Sequence, residues 1–154
     1  MQLQAISIVD LHACAQADAD GLLPSFVAER AIQMLHAGVA EHWARPFYIL
    51  RRFDQVVLGS CGFKHPPING RIELGYGVFP IYQRQGFATA AVGELLHRAF
   101  SSAEVSEVLA QINPDNAASI KVVQKLGFEL SECLTDEDSE PLQQWIAVCK
   151  HFRP

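Results

Sequence analysis

The stretch from residue 71 to residue 100 constrains the fold more than any other part of the chain. Over 71–79, apolar residues alternate with others, as they do in a β-strand that buries one face. Over about 85–100, apolar residues recur at the spacing of an amphipathic helix. Only a short turn separates the two patterns. The sequence therefore predicts a strand that leads directly into the N-terminus of a long helix.

Six further strands are predicted around this unit, at 3–9, 47–52, 55–63, 105–112, 128–134 and 143–149. A mostly helical region, in which Pro24 opens a helix, follows the first strand, and a shorter helix ends at Leu126. Gly127 is placed to take the left-handed conformation that ends this helix, which lets Phe128 fold back on Val123. This order of elements predicts a mixed sheet with helices packed on its faces.

Composition and charge argue against several classes of function. With 154 residues and 49% hydrophobic content, the chain fits one folded domain. Its net charge of −5 argues against nucleic acid as a partner, because duplex binding needs a basic surface. Charged residues interrupt the apolar runs before the roughly 18 residues that span a bilayer. No basic segment followed by an apolar core opens the chain, so we expect neither a membrane partner nor a signal peptide.

The cysteines and histidines form neither a metal-binding pattern nor a disulfide pattern. No C-x-x-C pair and no H-E-x-x-H sequence occurs. The four cysteines lie far apart, at Cys14, Cys61, Cys133 and Cys149. We therefore expect no metal site and no disulfide framework, and reduced thiols fit a cytoplasmic protein.

The turn before the long helix has the features of an anion site. Gly86 and Ala88 let backbone N–H groups approach a bulky anion without interference from side chains. The unpaired N–H groups of the first helical turn and the helix dipole favour a pyrophosphate there. Arg84 and Thr89 could add side-chain donors. The sequence is neither G-x-G-x-x-G nor Walker A, and Gly86 taken alone is better explained as the start of a helix.

Two glycines on one face of the strand at 71–79 form a second feature. Gly75 and Gly77 share that face with Glu73 and Phe79, and glycine inside a strand indicates close approach by a ligand or by another backbone. They predict a bare groove that runs from Glu73 towards Phe79 and ends near the helix N-terminus. A local β-bulge explains the two glycines equally well.

A third motif, at 113–119, is a turn that leads into the shorter helix. Asn116 is expected to cap that helix, with Ser119 in its first turn. On their own these residues indicate no function.

Together the three motifs resemble the GCN5-related N-acetyltransferase (GNAT) superfamily, and in particular its branch of ribosomal-protein N-terminal acetyltransferases. The family's phosphate-binding pattern, Q/R-x-x-G-x-G/A, is met by Gln83, Gly86 and Ala88. The branch's second motif, close to P-x-N-x-x-S followed by K-x-G-F, is met by Pro114, Asn116, Ser119, Lys125, Gly127 and Phe128. The segment at 72–76 is similar to the family's cofactor strand. The resemblance covers about residues 56–130.

The resemblance implies one N-acetyltransferase domain over residues 1–154 with an α/β (α+β) fold. The expected central sheet is mixed, mostly antiparallel and about seven strands wide, with helices on both faces. The strands at 71–79 and 105–112 are expected to splay apart into a V-shaped opening.

The resemblance also implies acetyl-CoA as the cosubstrate, bound without a metal ion. The opening would take the pantetheine arm, with backbone groups around Val78 and Phe79 holding the arm and the thioester carbonyl. The pyrophosphate would lie on the backbone amides of Arg84, Gln85, Gly86, Phe87, Ala88 and Thr89. Asn116 and Ser119 complete the cofactor site. The substrate amine is expected to attack the acetyl carbon directly, in a ternary complex without an acyl-enzyme.

Two residues are expected to act in catalysis. An alkyl ammonium has a pKa of about 10.4 and an N-terminal amine one of about 8, so a base must first remove a proton. Glu73 is the candidate base, directly or through a water, and a surface ion pair is the alternative explanation for it. Many family members protonate the leaving thiolate with a tyrosine at a position that here is Val123. Ser119 is therefore the candidate donor to the sulfur, with water as the alternative.

The amine acceptor stays open between a protein N-terminus and a small-molecule amine. Glu41, His42 and Trp43 are candidates to line the acceptor side, and the end of an amphipathic helix explains them equally well. A homodimer also stays open. The alternatives from other classes are a catalytically silent, acyl-CoA-binding regulatory module and a nucleotide-binding α/β domain. The second lacks a Walker lysine and the acidic residue expected about 20 positions after a dinucleotide loop.

Overall fold

The computed structural model of the protein describes residues 1–17 and 21–149. The strands in these ranges are β1 (Gln2–Ala5), β2 (Phe47–Leu50), β3 (Val57–Phe63), β4 (Arg71–Val78), β5 (Glu107–Ile112), β6 (Glu129–Thr135) and β7 (Pro141–Val148). The α-helices are α1 (Ile8–Gln16), α2 (Ser25–His36), α3 (Glu41–Ala44), α4 (Phe87–Phe100) and α5 (Ala117–Lys125), and a 3₁₀ turn spans Pro80–Tyr82. The domain predicted over 1–154 includes 18–20 and 150–154, which lie outside the described residues.

The strands form one seven-stranded sheet in the order β1-β2-β3-β4-β5-β7-β6. All neighbouring strands are antiparallel except β4 and β5, which are parallel. This confirms the predicted mixed, mostly antiparallel sheet.

The pairing between β4 and β5 covers only three residues on each strand. It runs from Arg71 opposite Glu107 to Glu73 opposite Leu109. Beyond that point β4 pairs only with β3, as far as Val78, while β5 pairs only with β7, as far as Ile112. The two strands therefore diverge, as the predicted V-shaped opening requires.

Helices cover both faces of the sheet, as predicted. Neighbouring residues of β2 point to opposite faces, so Phe47 and Ile49 pack in one hydrophobic cluster while Tyr48 packs against the other. The larger cluster holds the buried side of α4, which consists of Ala91, Val92, Leu95, Leu96 and Ala99. The smaller cluster holds the buried residues of α1 and α2, which are Leu11, Cys14, Ala28 and Ala31. In the described ranges, no helix has both the length and the apolar character to cross a membrane.

The first strand is shorter than predicted. It ends at Ala5, and α1 begins at Ile8, so the prediction of a strand as far as residue 9 was wrong. Ser7 is the helix cap, because its side chain accepts a hydrogen bond from the backbone N–H of Asp10 at 3.1 Å. Val9 is consequently 78% exposed on α1.

The end of α5 agrees with the prediction. Gly127 has φ = 84°, the left-handed conformation. Phe128 donates its backbone N–H to the carbonyl of Val123 at 3.0 Å, and both side chains are buried in the larger cluster. Val123 therefore points into the core rather than into a cleft.

Two glycines on the neighbouring strands β3 and β4 have opposite steric surroundings. A Cβ atom added to Gly59 would lie 2.0 Å from the carbonyl oxygen of Gly77 and 2.8 Å from the Cα of Val78, so the close approach of these strands excludes any side chain there. A Cβ added to Gly77 would meet nothing within 4 Å.

We expect Gly59→Ala to lower the free energy of unfolding by about 1–3 kcal/mol, because β3 and β4 would have to move apart. The matched variant Gly77→Ala should change it by less than about 1 kcal/mol, in the stabilising direction, because the unfolded chain loses freedom at no steric cost. Urea unfolding of both variants at neutral pH checks this. Equal stability of the two variants would contradict the close approach at Gly59.

Candidate active site

A cavity of about 1120 Å³ lies at the end of β4, between the N-terminal ends of α4 and α5. Its lining comes from three segments, which are 76–78 on β4, 82–89 in the turn and the start of α4, and 116–125 along α5. The cavity therefore lies where the sequence predicts an anion site.

The N-terminus of α4 carries free donors. Gly86 is its cap residue, with φ = 84° and no side-chain hydrogen bond, and its carbonyl accepts the first helical bond, from Ala90. The N–H groups before Ala90 have no carbonyl to bond within the helix, as at any helix start. Arg84 also has a positive φ, 64°, so the backbone turns sharply just before the helix. This geometry suits an anion such as a phosphate group.

The charge of the cavity agrees with an anionic ligand. Its lining includes the cations Arg84, Lys121 and Lys125, and it contains no acidic side chain. Lys121 was missed at the sequence level, although its place on the same face of α5 as Lys125 is a usable signal. Within the described residues no cluster of three His, Cys, Asp or Glu side chains could hold a metal ion.

Most of the predicted cofactor residues come together here. Those that line the cavity are Val78, Arg84, Gly86, Phe87, Ala88, Thr89, Asn116 and Ser119. Gln85 is exposed and does not line it.

Phe79 lies outside the lining of this cavity. Its backbone N–H donates to the carbonyl of Leu58 at 2.8 Å, and its carbonyl accepts from Tyr82 at 2.8 Å. Both backbone groups are thus used inside the protein, and the amide of Phe79 is not free for a ligand. The prediction missed this because β3 extends its pairing by one residue at the end of β4.

Backbone groups of β4 face the opening at alternate residues. Glu73 and Phe79 bond to β3 through their backbone, and in an antiparallel pair the residues that bond to one neighbour alternate with residues that face away. The register is unbroken between Phe63–Leu74 and Gly59–Val78, which excludes the β-bulge considered for this strand. Tyr76 and Val78 therefore turn their backbone groups away from β3, towards the splay.

Asn116 acts as the predicted helix cap, since its side-chain oxygen accepts from the backbone N–H of Ser119 at 3.1 Å. The phenol of Tyr76 donates to the carbonyl of Ser119 at 3.3 Å, and burial raises its pKa. This hydrogen bond links the end of β4 to the first turn of α5.

A second cavity, of about 360 Å³, lies on the α2 side of the sheet. It shares Tyr76, Gly77, Asn116 and Ser119 with the larger cavity. Because α2 and α4 belong to clusters on opposite faces, the two cavities approach the splay from opposite sides and meet there.

Glu73 lies beside the smaller cavity and is held by three polar groups. Its carboxylate pairs with the ammonium of Lys64 at 2.5 Å and accepts from the side-chain amide of Gln111 at 3.1 Å. Its backbone N–H lies 3.3 Å from Nε2 of His65. The side chain of Glu73 is 11% exposed. The ion pair considered as the alternative for Glu73 is thus present, although it is buried and its partner is Lys64.

The smaller cavity is lined in part by polar residues that were missed at the sequence level, among them Arg30, Lys64 and Gln111. A glutamine in the apolar run at 105–112 and an arginine on the inner side of α2 were signals that could have been used. Glu41, His42 and Trp43 do not line the cavity, because Trp43 packs into the core against Phe63 instead.

One thiol lies at the smaller cavity. Cys61 lines it but is almost wholly buried, and burial raises the pKa of its thiol to about 12. A thiol with that pKa is protonated at neutral pH and is a poor nucleophile.

The chain is similar in sequence to several curated proteins. The chain is 34% identical over 110 residues to the "Uncharacterized N-acetyltransferase p20" of Bacillus licheniformis, which covers 71% of this chain and 62% of that protein. It is 29% identical over 93 residues to a ribosomal-protein-serine acetyltransferase of Escherichia coli, which covers 60% and 51%. The chain spans about three-fifths of the length of the first curated relatives it matches.

The fold is also found in solved structures. Spermidine N-acetyltransferase from Vibrio cholerae, solved in complex with CoA and spermine, superposes with a TM-score of 0.75 at 13% identity, over 99% of this chain and 98% of that one. The family model of the acetyltransferase (GNAT) domain matches residues 8–129. With the fold, the two joined cavities and this match in agreement, the chain belongs to the GNAT acetyltransferase family.

Proposed function

We propose that the protein is an acetyl-CoA-dependent N-acetyltransferase that acts on a primary amine. The observation that carries the proposal is the splay between β4 and β5, where an anion-binding cavity and a smaller cavity beside a buried carboxylate meet at Tyr76 and Gly77. A transferase needs this arrangement, because the acyl donor and the amine must come within bonding distance while entering separately.

The names of the relatives support the same activity. The relatives include a ribosomal-protein-serine acetyltransferase and a spermidine N-acetyltransferase, and the second name describes transfer to an amine nitrogen. The solved relative contains CoA. These names describe those proteins, and this chain spans only part of the length of the curated ones. The proposal for this chain therefore rests on the geometry of its own site.

The residues of the larger cavity fit acetyl-CoA. The first-turn N–H groups of α4 would take the pyrophosphate, and Arg84, Lys121 and Lys125 would balance its charge. The outward-facing backbone groups of Tyr76 and the backbone N–H of Val78 would pair with the pantetheine arm. The carbonyl of Val78 already accepts from the side-chain amide of Gln83 at 2.9 Å. Gly77, which has open space where a side chain would stand, leaves room for the arm.

Glu73 is proposed as the base. Bound acetyl-CoA supplies a thioester carbon that an uncharged amine can attack, so the protein must first remove a proton from the ammonium. Glu73 would take that proton, directly or through a water, while Lys64 and Gln111 hold the carboxylate in place. The nitrogen–carbon bond then forms as the carbon–sulfur bond breaks. The sulfur leaves with the bonding electron pair, receives a hydrogen bond from Ser119 and becomes the free thiol by taking up the second proton that the nitrogen releases. The protonated thiol of Cys61 supports this direct transfer over an acyl-enzyme.

The four cysteines support a place for the protein in a reducing compartment. Cys14, Cys61, Cys133 and Cys149 are all free thiols, and such thiols are typical of cytoplasmic proteins. We include cytoplasmic location in the proposal.

The activity is tested by incubating the protein with acetyl-CoA and a panel of amines and N-terminal peptides while free thiol is measured. Amine-dependent thiol release is expected. Tight CoA binding with no release from any acceptor would favour the silent acyl-CoA-binding module instead.

We expect Ala88→Glu to weaken acetyl-CoA binding at least about ten-fold (about 1.4 kcal/mol), because its carboxylate would stand at the proposed pyrophosphate position. The matched control is Ala90→Glu, which adds the same charge to an exposed residue of the same turn outside the cavity. Calorimetry measures both affinities. If the two variants lose the same affinity for acetyl-CoA, the pyrophosphate does not bind at this helix end.

We expect Glu73→Gln to lower kcat by roughly 10²–10⁴ at neutral pH with acetyl-CoA affinity kept, because the base is lost while the shape is conserved. Lys64→Met breaks the same ion pair but leaves the carboxylate, so its loss of kcat should be clearly smaller. Steady-state kinetics across pH 6–9 compare the two variants. Similar losses would mean that the ion pair matters only for structure.

We expect Ser119→Ala to lower kcat by about ten-fold to a hundred-fold with little change in KM for acetyl-CoA, because a hydrogen bond of about 1.5–3 kcal/mol to the developing thiolate is lost. Tyr76→Phe removes the other hydroxyl at the junction of the cavities and serves as the comparison. A larger loss of kcat in Tyr76→Phe would transfer the role of donor to the phenol.

A further inference from the structure

The smaller cavity has an unusual charge for a site that receives an amine. Its lining includes two cations, Arg30 and Lys64, and no aspartate or glutamate. Lys64 is neutralised by Glu73. Arg30 is therefore the cation of this cavity that lacks a counter-charge within the described residues.

The surroundings of Arg30 do not satisfy the hydrogen-bonding capacity of its guanidinium. Its Nε is buried and has no hydrogen-bond partner within the described residues, and no carboxylate lies within ion-pair distance of its guanidinium there. Burial lowers the pKa of Arg30, and attraction to Glu73 offsets this only in part. A buried donor without a partner is unfavourable, so such groups in a cavity commonly have a ligand as partner.

The position of Arg30 limits what that ligand can be. The residue lies on α2, whose side chains Val27, Ala31 and Met34 form an apolar wall of the same cavity. A planar guanidinium binds carboxylates in a two-point manner. A carboxylate has the charge and the planar shape to satisfy Arg30.

We infer that the acceptor is a small amino carboxylate, whose carboxylate binds Arg30 while its amine faces Glu73 and the splay. The inference rests on the proposed function and names its substrate class. The cavity volume of about 360 Å³ is at the small end of ligand sites, which suits a molecule of amino-acid size.

The same charge disfavours a polyamine. A polyamine bound with one amine at the splay would bring further ammonium groups towards Arg30, and the lining offers no acidic side chain to receive them. The name of the structural relative, a spermidine N-acetyltransferase, would suggest a polyamine acceptor. The charge of this cavity disfavours one.

The test compares acids with their amides. Thiol release from acetyl-CoA is measured with the standard amino acids, with their C-terminal amides, with spermidine and with short peptides. An amide keeps the amine and the side chain but loses the negative charge. Replacing the acid by its amide also makes the neighbouring ammonium more acidic, so ease of deprotonation alone would make the amide the better acceptor. We expect kcat/KM for the best acid to exceed that for its amide by about ten-fold to a hundred-fold.

Arg30→Gln should abolish this preference, bringing the acid-to-amide ratio close to one, with KM for acetyl-CoA unchanged. The control is Arg52→Gln, which removes the same charge from an exposed residue outside both cavities and should keep the ratio. The midpoint temperature of thermal unfolding of Arg30→Gln should equal or exceed that of the original protein, because an unsatisfied buried group is removed.

An Arg30→Gln variant that keeps the acid preference, or spermidine or peptides as better acceptors than every amino acid, would overturn the inference while leaving the acetyltransferase proposal intact. Absence of thiol release from every acceptor would contradict the acetyltransferase proposal. Calorimetry with the same acids and amides on the CoA-saturated protein then decides the inference by itself. Tighter binding of acids that depends on Arg30 supports it, and equal or absent binding overturns it.

Discussion

The short pairing between β4 and β5 is the constraint on which the rest of the structure depends. Backbone N–H and C=O groups must find partners, so two parallel strands that separate after three residues leave an opening that another group has to fill. Each strand separates because it follows its other neighbour, β4 staying with β3 and β5 with β7. Both cavities exist only because of this divergence. The glycines of β4 then keep side chains out of the space that it creates.

Much of this could be predicted from the sequence because the informative residues are local. Gly86 precedes the helix whose start it forms, Asn116 caps α5 three residues from its partner, and Gly127 ends that helix within one turn. Such signals depend on neighbours a few positions away. The mostly antiparallel pairing and the divergence were predicted only through the resemblance to the family, and the order of the strands was not predicted, because alternating apolar residues give no information about which strands pair.

The smaller cavity could not be predicted because the residues that line it are distant in sequence. Arg30 comes from α2, Lys64 from the residue after β3 and Gln111 from β5, and only the fold brings them to one cavity. Local contacts explain two other differences between the sequence predictions and the structure. The alternating residues from Ile6 to Val9 resemble a strand, but the hydrogen bond from Asp10 to Ser7 starts a helix there. Phe79 was placed in the site from its position on the strand, whereas a further pairing with Leu58 uses its amide.

The location of the two cavities on opposite faces of the sheet has a kinetic consequence. The larger cavity opens between α4 and α5, and the smaller one beside α2, and they share only the residues at the splay. A ligand in one cavity does not block the entrance to the other. For the proposed transfer, neither substrate would have to arrive first and neither product would have to wait for the other to leave, so the architecture favours a random order of addition and release.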